Sequence, residues 1–204
     1  METRTTPPAN AVVLFAGRIM SDWQAREGGR PRWKVEGGFL EVVPGTGDIM
    51  TRVTFRDLFL HLEFRCPDMP RARGQDKANS GVYLQGRYEL QILDSWGVKK
   101  PGPADCGAIY GVAAPLVNAA KAPSAWQTFE VVFRSPRKMV DGIEAARITA
   151  LQNGLVIHNN MALPAPTQHA LDQDLLAPGP LLLQDHGSPV AFRRIWIVPL
   201  AEHA

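Results

Sequence analysis

Acids, amides and aromatic rings crowd one central stretch of the sequence, NSGVYLQGRYELQILDSWG, at positions 79–97. Carboxylates and amides hydrogen-bond to sugar hydroxyls, and aromatic rings stack on the apolar face of a pyranose. Glu89 and Asp94 could also act as the carboxylate pair of a retaining glycosidase, although Gln91 stands between them where a third acid would strengthen that interpretation. A half-solvated strand whose polar residues face water is the alternative.

A second group of reactive side chains lies in LQDHG, at positions 183–187. In an extended strand Gln184 and His186 share one face, and the following Gly187 and Pro189 favour a strand end that places His186 at a rim. Imidazole titrates near neutral pH and suits proton transfer. A purely structural histidine is the alternative interpretation.

The loop DCGAIYG at positions 105–111 is rich in small residues. Such a segment suits either a binding loop close to a ligand or a packed Ω-loop. His61, His158 and His169 lack the spacing of a metal-binding motif. The sequence also lacks a phosphate-binding glycine loop, a GxSxG elbow and a dinucleotide fingerprint, which excludes those enzyme classes.

Strands must position these side chains, because apolar residues recur with a period of two. Positions 58–65 alternate in this way, and so do positions 88–92. The alternation predicts a core that contains Leu62, Phe64, Leu90 and Ile92. It also predicts one open polar face that is lined by Glu63, Arg65, Glu89 and Gln91.

Turn signals complete the prediction of the fold. Asn153-Gly154 lies between two strand-like runs and favours a tight hairpin, and Gly86-Arg87 is a second candidate for a hairpin turn. The 17 prolines interrupt most windows long enough for a helix. The sequence therefore predicts an all-β sandwich or jelly roll of two sheets that forms a single domain over positions 1–204.

Composition excludes several classes of protein. The 22 Lys and Arg against 20 Asp and Glu give a net charge of +2, which favours neither nucleic acid nor an anionic membrane as partner. No apolar run approaches the roughly 20 residues of a membrane span, and positions 1–10 lack the regions of a signal peptide, as in a cytoplasmic protein. We expect Cys66 and Cys106 to be unpaired.

Several strings together resemble one known family, the 3-keto-disaccharide hydrolases. They occur in the order HLEFR, NSGVYLQGRYELQILDSWG, DCGAIYGV, WQTFEVVFRSPR, ITALQNGLVIHNN and GPLLLQDHGSPVAFRRIWIVPL, and the resemblance runs from about position 33 to position 200. It implies a concanavalin A-like jelly-roll β-sandwich of two antiparallel sheets that binds a sugar on its concave face. Many members of the family carry export signals, so the compartment of this chain stays open.

The resemblance also implies cleavage of 3-keto-glycosides by elimination and hydration, a net hydrolysis. This chemistry needs a base, an acid and a group that stabilises an enolate oxygen, and no carboxylate nucleophile. We expect the catalytic residues to be His186, Asp94 and Glu89. The expected sugar-binding residues are Arg65, Gln91, Gln184, Tyr83, Gln85 and Glu63. A divalent cation could replace Arg65 in polarising the ketone. The alternatives are a non-catalytic carbohydrate-binding module and a retaining glycosidase that uses Glu89 and Asp94.

Overall fold

The computed structural model describes residues 6–201, and nearly all its regular structure is β-strand. The strands are β1 (Val12–Phe15), β2 (Trp23–Ala25), β3 (Lys34–Glu36), β4 (Phe39–Glu41), β5 (Ile49–Thr51), β6 (Leu58–Arg65), β7 (Ser80–Leu84), β8 (Tyr88–Ile92), β9 (Gln127–Arg134), β10 (Arg137–Met139), β11 (Gly142–Glu144), β12 (Ala146–Gln152), β13 (Leu155–Leu163), β14 (Leu182–Leu183) and β15 (Ala191–Pro199). A short 3-10 helix spans Gly74–Asp76.

Two antiparallel sheets form the body of the fold. The eight-stranded sheet has the order β13-β12-β9-β6-β15-β4-β3, with β1 paired to β15. The five-stranded sheet has the order β2-β5-β14-β7-β8. Strands β10 and β11 form a separate hairpin. The expectation of an all-β sandwich of two antiparallel sheets is therefore confirmed.

The core fills the space between the two sheets. Leu62 and Phe64 of β6 and Leu90 and Ile92 of β8 are all fully buried in one hydrophobic cluster, as the alternation predicts. Burying each such side chain stabilises the fold by about 1.5–3 kcal/mol. Because both sheets turn their apolar sides to this layer, each keeps one outer face for polar residues.

One prediction about these outer faces is wrong. Glu63 and Arg65 belong to β6 of the eight-stranded sheet, whereas Glu89 and Gln91 belong to β8 of the five-stranded sheet. The core separates the two sheets, so the two polar pairs lie on opposite outer faces of the sandwich. Alternation determines which residues share a face within one strand, but it does not determine which sheet the strand joins.

Both predicted hairpins form, although one turn is shifted. Asn153 and Gly154 join β12 to β13 with φ values of 53° and 82°, the left-handed pair of a type I′ turn. Between β7 and β8 the left-handed residues are Gln85 and Gly86, with φ of 52° and 65°, rather than Gly86 and Arg87. A hydrogen bond from Arg87 N–H to the Leu84 carbonyl closes this turn.

Two smaller predictions concern cysteines and membranes. Cys66 and Cys106 are both buried and unpaired, as expected. Among residues 6–201, no helix combines the length and the apolar character that crossing a bilayer requires. Positions 1–10 lack signal-peptide features in the sequence, and the first five of these positions lie outside the described residues.

Candidate active site

Three neighbouring strands of the five-stranded sheet bring Tyr83, Glu89 and Gln184 together. Tyr83 of β7 lies opposite Glu89 of β8, and Gln184 follows directly after β14 on the other side of β7. The Tyr83 hydroxyl donates to Glu89 Oε2 at 2.8 Å and accepts from Gln184 Nε2 at 3.1 Å. The three side chains form one hydrogen-bonded group on the outer face, which we call the Glu89 cluster.

Gly81 makes room for the Glu89 carboxylate. It lies in β7 two residues before Tyr83 and pairs with Gln91 of β8. A Cβ atom built on Gly81 would collide with Glu89 Oε1 and would lie 3.1 Å from both Cγ and Cδ. The carboxylate therefore rests over bare backbone, and any side chain at position 81 would displace it.

Burial determines the protonation of this cluster. Glu89 is only 2% exposed, and the loss of hydration raises the pKa of its carboxyl group to about 7. The hydrogen bond from Tyr83 opposes this increase, and the negative charge of Asp48 adds to it. Burial raises the pKa of Tyr83 as well, which keeps its hydroxyl protonated at neutral pH. Glu89 can thus exchange a proton near neutrality, as general acid–base catalysts do.

Asp48 connects the Glu89 cluster to a polar cleft of about 610 Å³. Its Oδ2 pairs with Arg26 Nη1 at 3.0 Å, and its Oδ1 accepts from the Asp185 backbone N–H at 2.9 Å. The charged and titratable residues that line the cleft are Arg26, Glu27, Arg30, Arg32, Asp48 and His169. None of these six residues was predicted from the sequence to belong to the site.

Residues 167–172, which we call the strap, cover part of this face. Thr167 Oγ1 accepts from the Glu89 backbone N–H at 3.0 Å, and Asp172 Oδ1 pairs with Arg87 Nε at 2.6 Å. These contacts anchor both ends of the strap to β8 and to the turn before it. The anchored strap helps to exclude water from the carboxylate, which a solvated open face would not do.

Gln91 and Gln184 lie on the face that carries Glu89. Gln91 Nε2 donates to Gln75 Oε1 at 3.1 Å. Within the described residues, neither Gln91 Oε1 nor Gln184 Oε1 has a hydrogen-bond partner, although both atoms are buried. Buried acceptors normally have partners, so the hydrogen bonding of this face is incomplete at these two oxygens.

His186 lies in the turn after β14 and is exposed. Within residues 6–201, its imidazole makes neither a hydrogen bond nor an ion pair with any carboxylate, and it is not among the residues that line the cleft. The neighbouring Asp185 instead accepts the backbone N–H groups of Gly47 and Gly187 at 2.9 and 3.0 Å. The catalytic roles that the sequence predicts for His186, Glu89 and Asp94 therefore stay predictions.

Asp94 and Gln85 have structural partners away from the cluster. Asp94 lies beyond the end of β8, where its Oδ2 pairs with Lys77 Nζ at 2.8 Å. Gln85 is 1% exposed, and its amide donates to the Phe55 carbonyl at 3.0 Å and to Ser135 Oγ at 2.9 Å. Gln85 therefore braces the turn between β7 and β8 instead of facing a sugar.

Glu63 and Arg65 take part in a separate arrangement on the eight-stranded sheet. Glu63 Oε1 accepts from Arg194 Nη1 at 2.7 Å, and Glu63 Oε2 accepts from Arg193 Nε at 2.5 Å. The guanidinium of Arg65 lies 4.8 Å from the ring centroid of Trp126 and at the same distance from that of Phe39. These ion pairs and cation–π contacts organise the opposite outer face.

Metal-binding side chains do not gather in the described part of the chain. Among residues 6–201, no group of three or more His, Cys, Asp and Glu residues lies close enough to hold a metal ion. His158 Nε2 lies 2.7 Å from the Gly107 carbonyl, and His61 stacks on Trp196 with ring centroids 5.0 Å apart. Both histidines have places in the packing of the sandwich.

Comparisons with known proteins place the chain in a family. A family model of the 3-keto-alpha-glucoside-1,2-lyase-like domain matches residues 10–198. The crystal structure of a protein assigned as a glycosyl hydrolase from Parabacteroides distasonis ATCC 8503 is 34% identical, with a TM-score of 0.88. That match covers 96% of this chain and 86% of the other. A search of curated proteins found no match.

More distant structures share only the fold. An alginate lyase is 10% identical, with a TM-score of 0.55 over 95% of this chain and 99% of its own. The exoplasmic domain of VIP36 is 8% identical, with a TM-score of 0.50 over 96% of this chain and 90% of its own. Both agree with the jelly-roll architecture that the two sheets form.

Proposed function

This chain belongs to the family of 3-keto-alpha-glucoside-1,2-lyase-like domains, and from that premise we propose that it cleaves 3-keto-glycosides by elimination and hydration. The similarity to a glycosyl hydrolase supports a carbohydrate-active, glycoside-cleaving enzyme. The observation that carries the finer proposal is the environment of Glu89, a buried carboxyl group with a pKa of about 7. Elimination requires one such base.

The chemistry follows from the ketone at carbon 3 of the sugar. The ketone acidifies the proton on carbon 2, so a base can remove that proton and leave an enolate. The enolate then re-forms the ketone and expels the aglycone from carbon 1, which creates a double bond between carbons 1 and 2. Water adds across this bond, with its hydroxyl on carbon 1 and a proton on carbon 2, and gives the free 3-keto sugar.

Glu89 is our choice for the base that removes the carbon 2 proton. Its raised pKa makes it a stronger base than an exposed carboxylate, yet it is substantially ionised at neutral pH. Its protonated form returns the proton to carbon 2 during hydration. We assign this role to Glu89 rather than to His186, because His186 is outside the Glu89 cluster and does not line the cleft.

Tyr83 and Gln184 are suited to the developing enolate oxygen. The neutral Tyr83 hydroxyl donates to Glu89 Oε2 in this structure, and once Glu89 holds the carbon 2 proton this hydroxyl is free to donate to the enolate oxygen in a buried site, where electrostatic stabilisation is strongest. Gln184 holds that hydroxyl through its amide N–H at 3.1 Å. Gln91, whose Oε1 is buried and unpaired, is our proposed acceptor for a sugar hydroxyl.

The decisive experiment compares an aryl glucoside with its 3-keto derivative. We expect the wild-type protein to release the phenol from the keto substrate only. Glu89→Gln should lower that turnover by about 10²–10⁴-fold, because the amide cannot accept the proton. If His186→Asn lowered this turnover at least as much as Glu89→Gln does, the base would be His186 instead of Glu89.

The same assay separates the two alternatives. Cleavage of the unoxidised glucoside would overturn the proposal in favour of a direct glycosidase. Binding of either sugar without any turnover would instead indicate a carbohydrate-binding module. A glycosidase needs two carboxylates about 5–5.5 Å apart for retention, and Asp94, the predicted second acid, pairs with Lys77 instead.

A further inference from the structure

One histidine near the site has no role in the mechanism above. His169 lies in the strap, is exposed, and helps to line the cleft that also contains Arg26 and Asp48. Its imidazole therefore borders space that a ligand can enter. Asp48 accepts from the backbone N–H of Asp185, and the preceding residue Gln184 belongs to the Glu89 cluster, so the cleft adjoins the proposed base.

Both chain neighbours of His169 contact the site. The carbonyl oxygen of Gln168 lies 3.4 Å from the Tyr83 hydroxyl oxygen. On the other side, the carbonyl of Ala170 accepts from Arg26 Nη2 at 3.3 Å. Consecutive Cα atoms are only about 3.8 Å apart, so these two contacts hold His169 between the Glu89 cluster and the Arg26–Asp48 pair.

The backbone of His169 is left-handed, with φ of 59°. A non-glycine residue in this conformation is strained and persists only where its surroundings enforce it. The enforcing contacts are hydrogen bonds on either side, from Thr167 N–H to the Arg87 carbonyl at 2.9 Å and from Leu171 N–H to the Gly86 carbonyl at 2.7 Å. The fold thus fixes His169 at this position at an energetic cost.

We propose that His169 is the catalytic acid that protonates the departing aglycone oxygen, a role that rests on the proposed function. Glu89 takes the proton from carbon 2, and the bond from carbon 1 to the glycosidic oxygen breaks. The electron pair of that bond stays on the oxygen, which receives a proton from the His169 imidazolium. During hydration neutral His169 accepts a proton from the attacking water, so both groups return to their initial states.

The charges around the cleft suit this role. Asp48 is neutralised by Arg26 at 3.0 Å. Glu27, Arg30 and Arg32 line the same space. Polar groups of both signs can therefore contact the hydroxyls of a sugar that places its glycosidic oxygen at His169.

The test uses leaving groups of different basicity with His169→Asn, a substitution that tolerates a left-handed backbone. An alkyl 3-keto-glucoside needs protonation of its leaving oxygen, whereas a 4-nitrophenyl 3-keto-glucoside does not. We expect His169→Asn to lose about 10²–10⁴-fold in kcat with the alkyl substrate, and much less with the nitrophenyl substrate. Exchange of the carbon 2 proton with D₂O, followed by mass spectrometry, should persist because Glu89 is intact.

Two further variants keep the test interpretable. Gln173→Asn changes an exposed side chain just beyond the strap and should leave all rates unchanged. His169→Gln should repeat the pattern of His169→Asn if loss of the acid is the cause. Equal losses on both substrates, or no loss, would overturn the role of His169 while cleavage by the wild type upheld the proposed function. Failure of the wild type to cleave any 3-keto-glucoside would overturn both.

Discussion

At the residue scale, the property that suits Glu89 to proton transfer also destabilises the fold. Its pKa rises from 4.5 to about 7, so the folded chain holds this proton more tightly than the unfolded chain. Between these two pH values the folded state binds more protons, and the free energy of unfolding therefore falls as pH rises. The difference between the two pKa values corresponds to roughly 3 kcal/mol in the free energy of unfolding. This contribution is present below pH 4.5 and is lost above pH 7.

Glu89→Gln should therefore be more stable than the wild type at high pH. The neutral amide avoids the burial of a charge, so the advantage should approach roughly 3 kcal/mol at pH 8 and disappear at pH 4. Urea unfolding at both pH values measures this difference. Asp141→Asn, which neutralises an exposed acid, serves as the control and should show no such change. A pH-independent difference for Glu89→Gln would contradict the burial argument.

At the element scale, the sequence predicted strands and turns better than it predicted their partners. Alternation identified β6 and β8 with their buried sides, and Asn153-Gly154 identified the turn between β12 and β13. These are local properties of the chain. Sheet membership depends on long-range pairing, so Arg65 was placed beside Glu89 although the core lies between them.

The missed residues have the same physical origin. Asp48 follows the turn Gly45-Thr46-Gly47 and directly precedes β5, so an acid after a glycine-rich turn was the available signal. Its relation to Glu89 arises only because β5 and β8 belong to the same sheet, in which β14 and β7 lie between them. His169 lies in a loop with no periodic pattern, and only the anchored strap brings it to the cleft.

Strand β7 provides a test at this scale, because Gly81→Ala should disable the site from within the sheet. The added methyl group would collide with the Glu89 carboxylate and displace it from Tyr83. We expect a loss of kcat of about 10²-fold or more, with the chain still folded by circular dichroism. Gly102→Ala is the matched control, because its methyl group would meet only Asp105 Oδ2, at 3.6 Å. Full activity of Gly81→Ala would show that this carboxylate position is not required.

At the scale of the whole molecule, the two outer faces of the sandwich carry different polar groups. The five-stranded sheet carries the buried Glu89 carboxyl group, the unpaired amide oxygens of Gln91 and Gln184 and an adjoining cleft. The eight-stranded sheet carries the Glu63 carboxylate, which is satisfied by Arg193 and Arg194. Because the core separates the two faces, we expect that the proposed site and the ion pairs of Glu63 can be changed independently of each other.

Glu63→Gln tests whether a change on the eight-stranded sheet affects stability without affecting turnover. The amide removes the negative charge that pairs with Arg193 and Arg194, so the free energy of unfolding should fall by about 1–3 kcal/mol, measured by urea denaturation. Turnover of a 3-keto-glucoside should not change, because the core lies between Glu63 and Glu89. Glu130→Gln is the control on the same face, and its more exposed carboxylate should matter by less than about 1 kcal/mol. Lost turnover at unchanged stability would instead place Glu63 in the sugar-binding site.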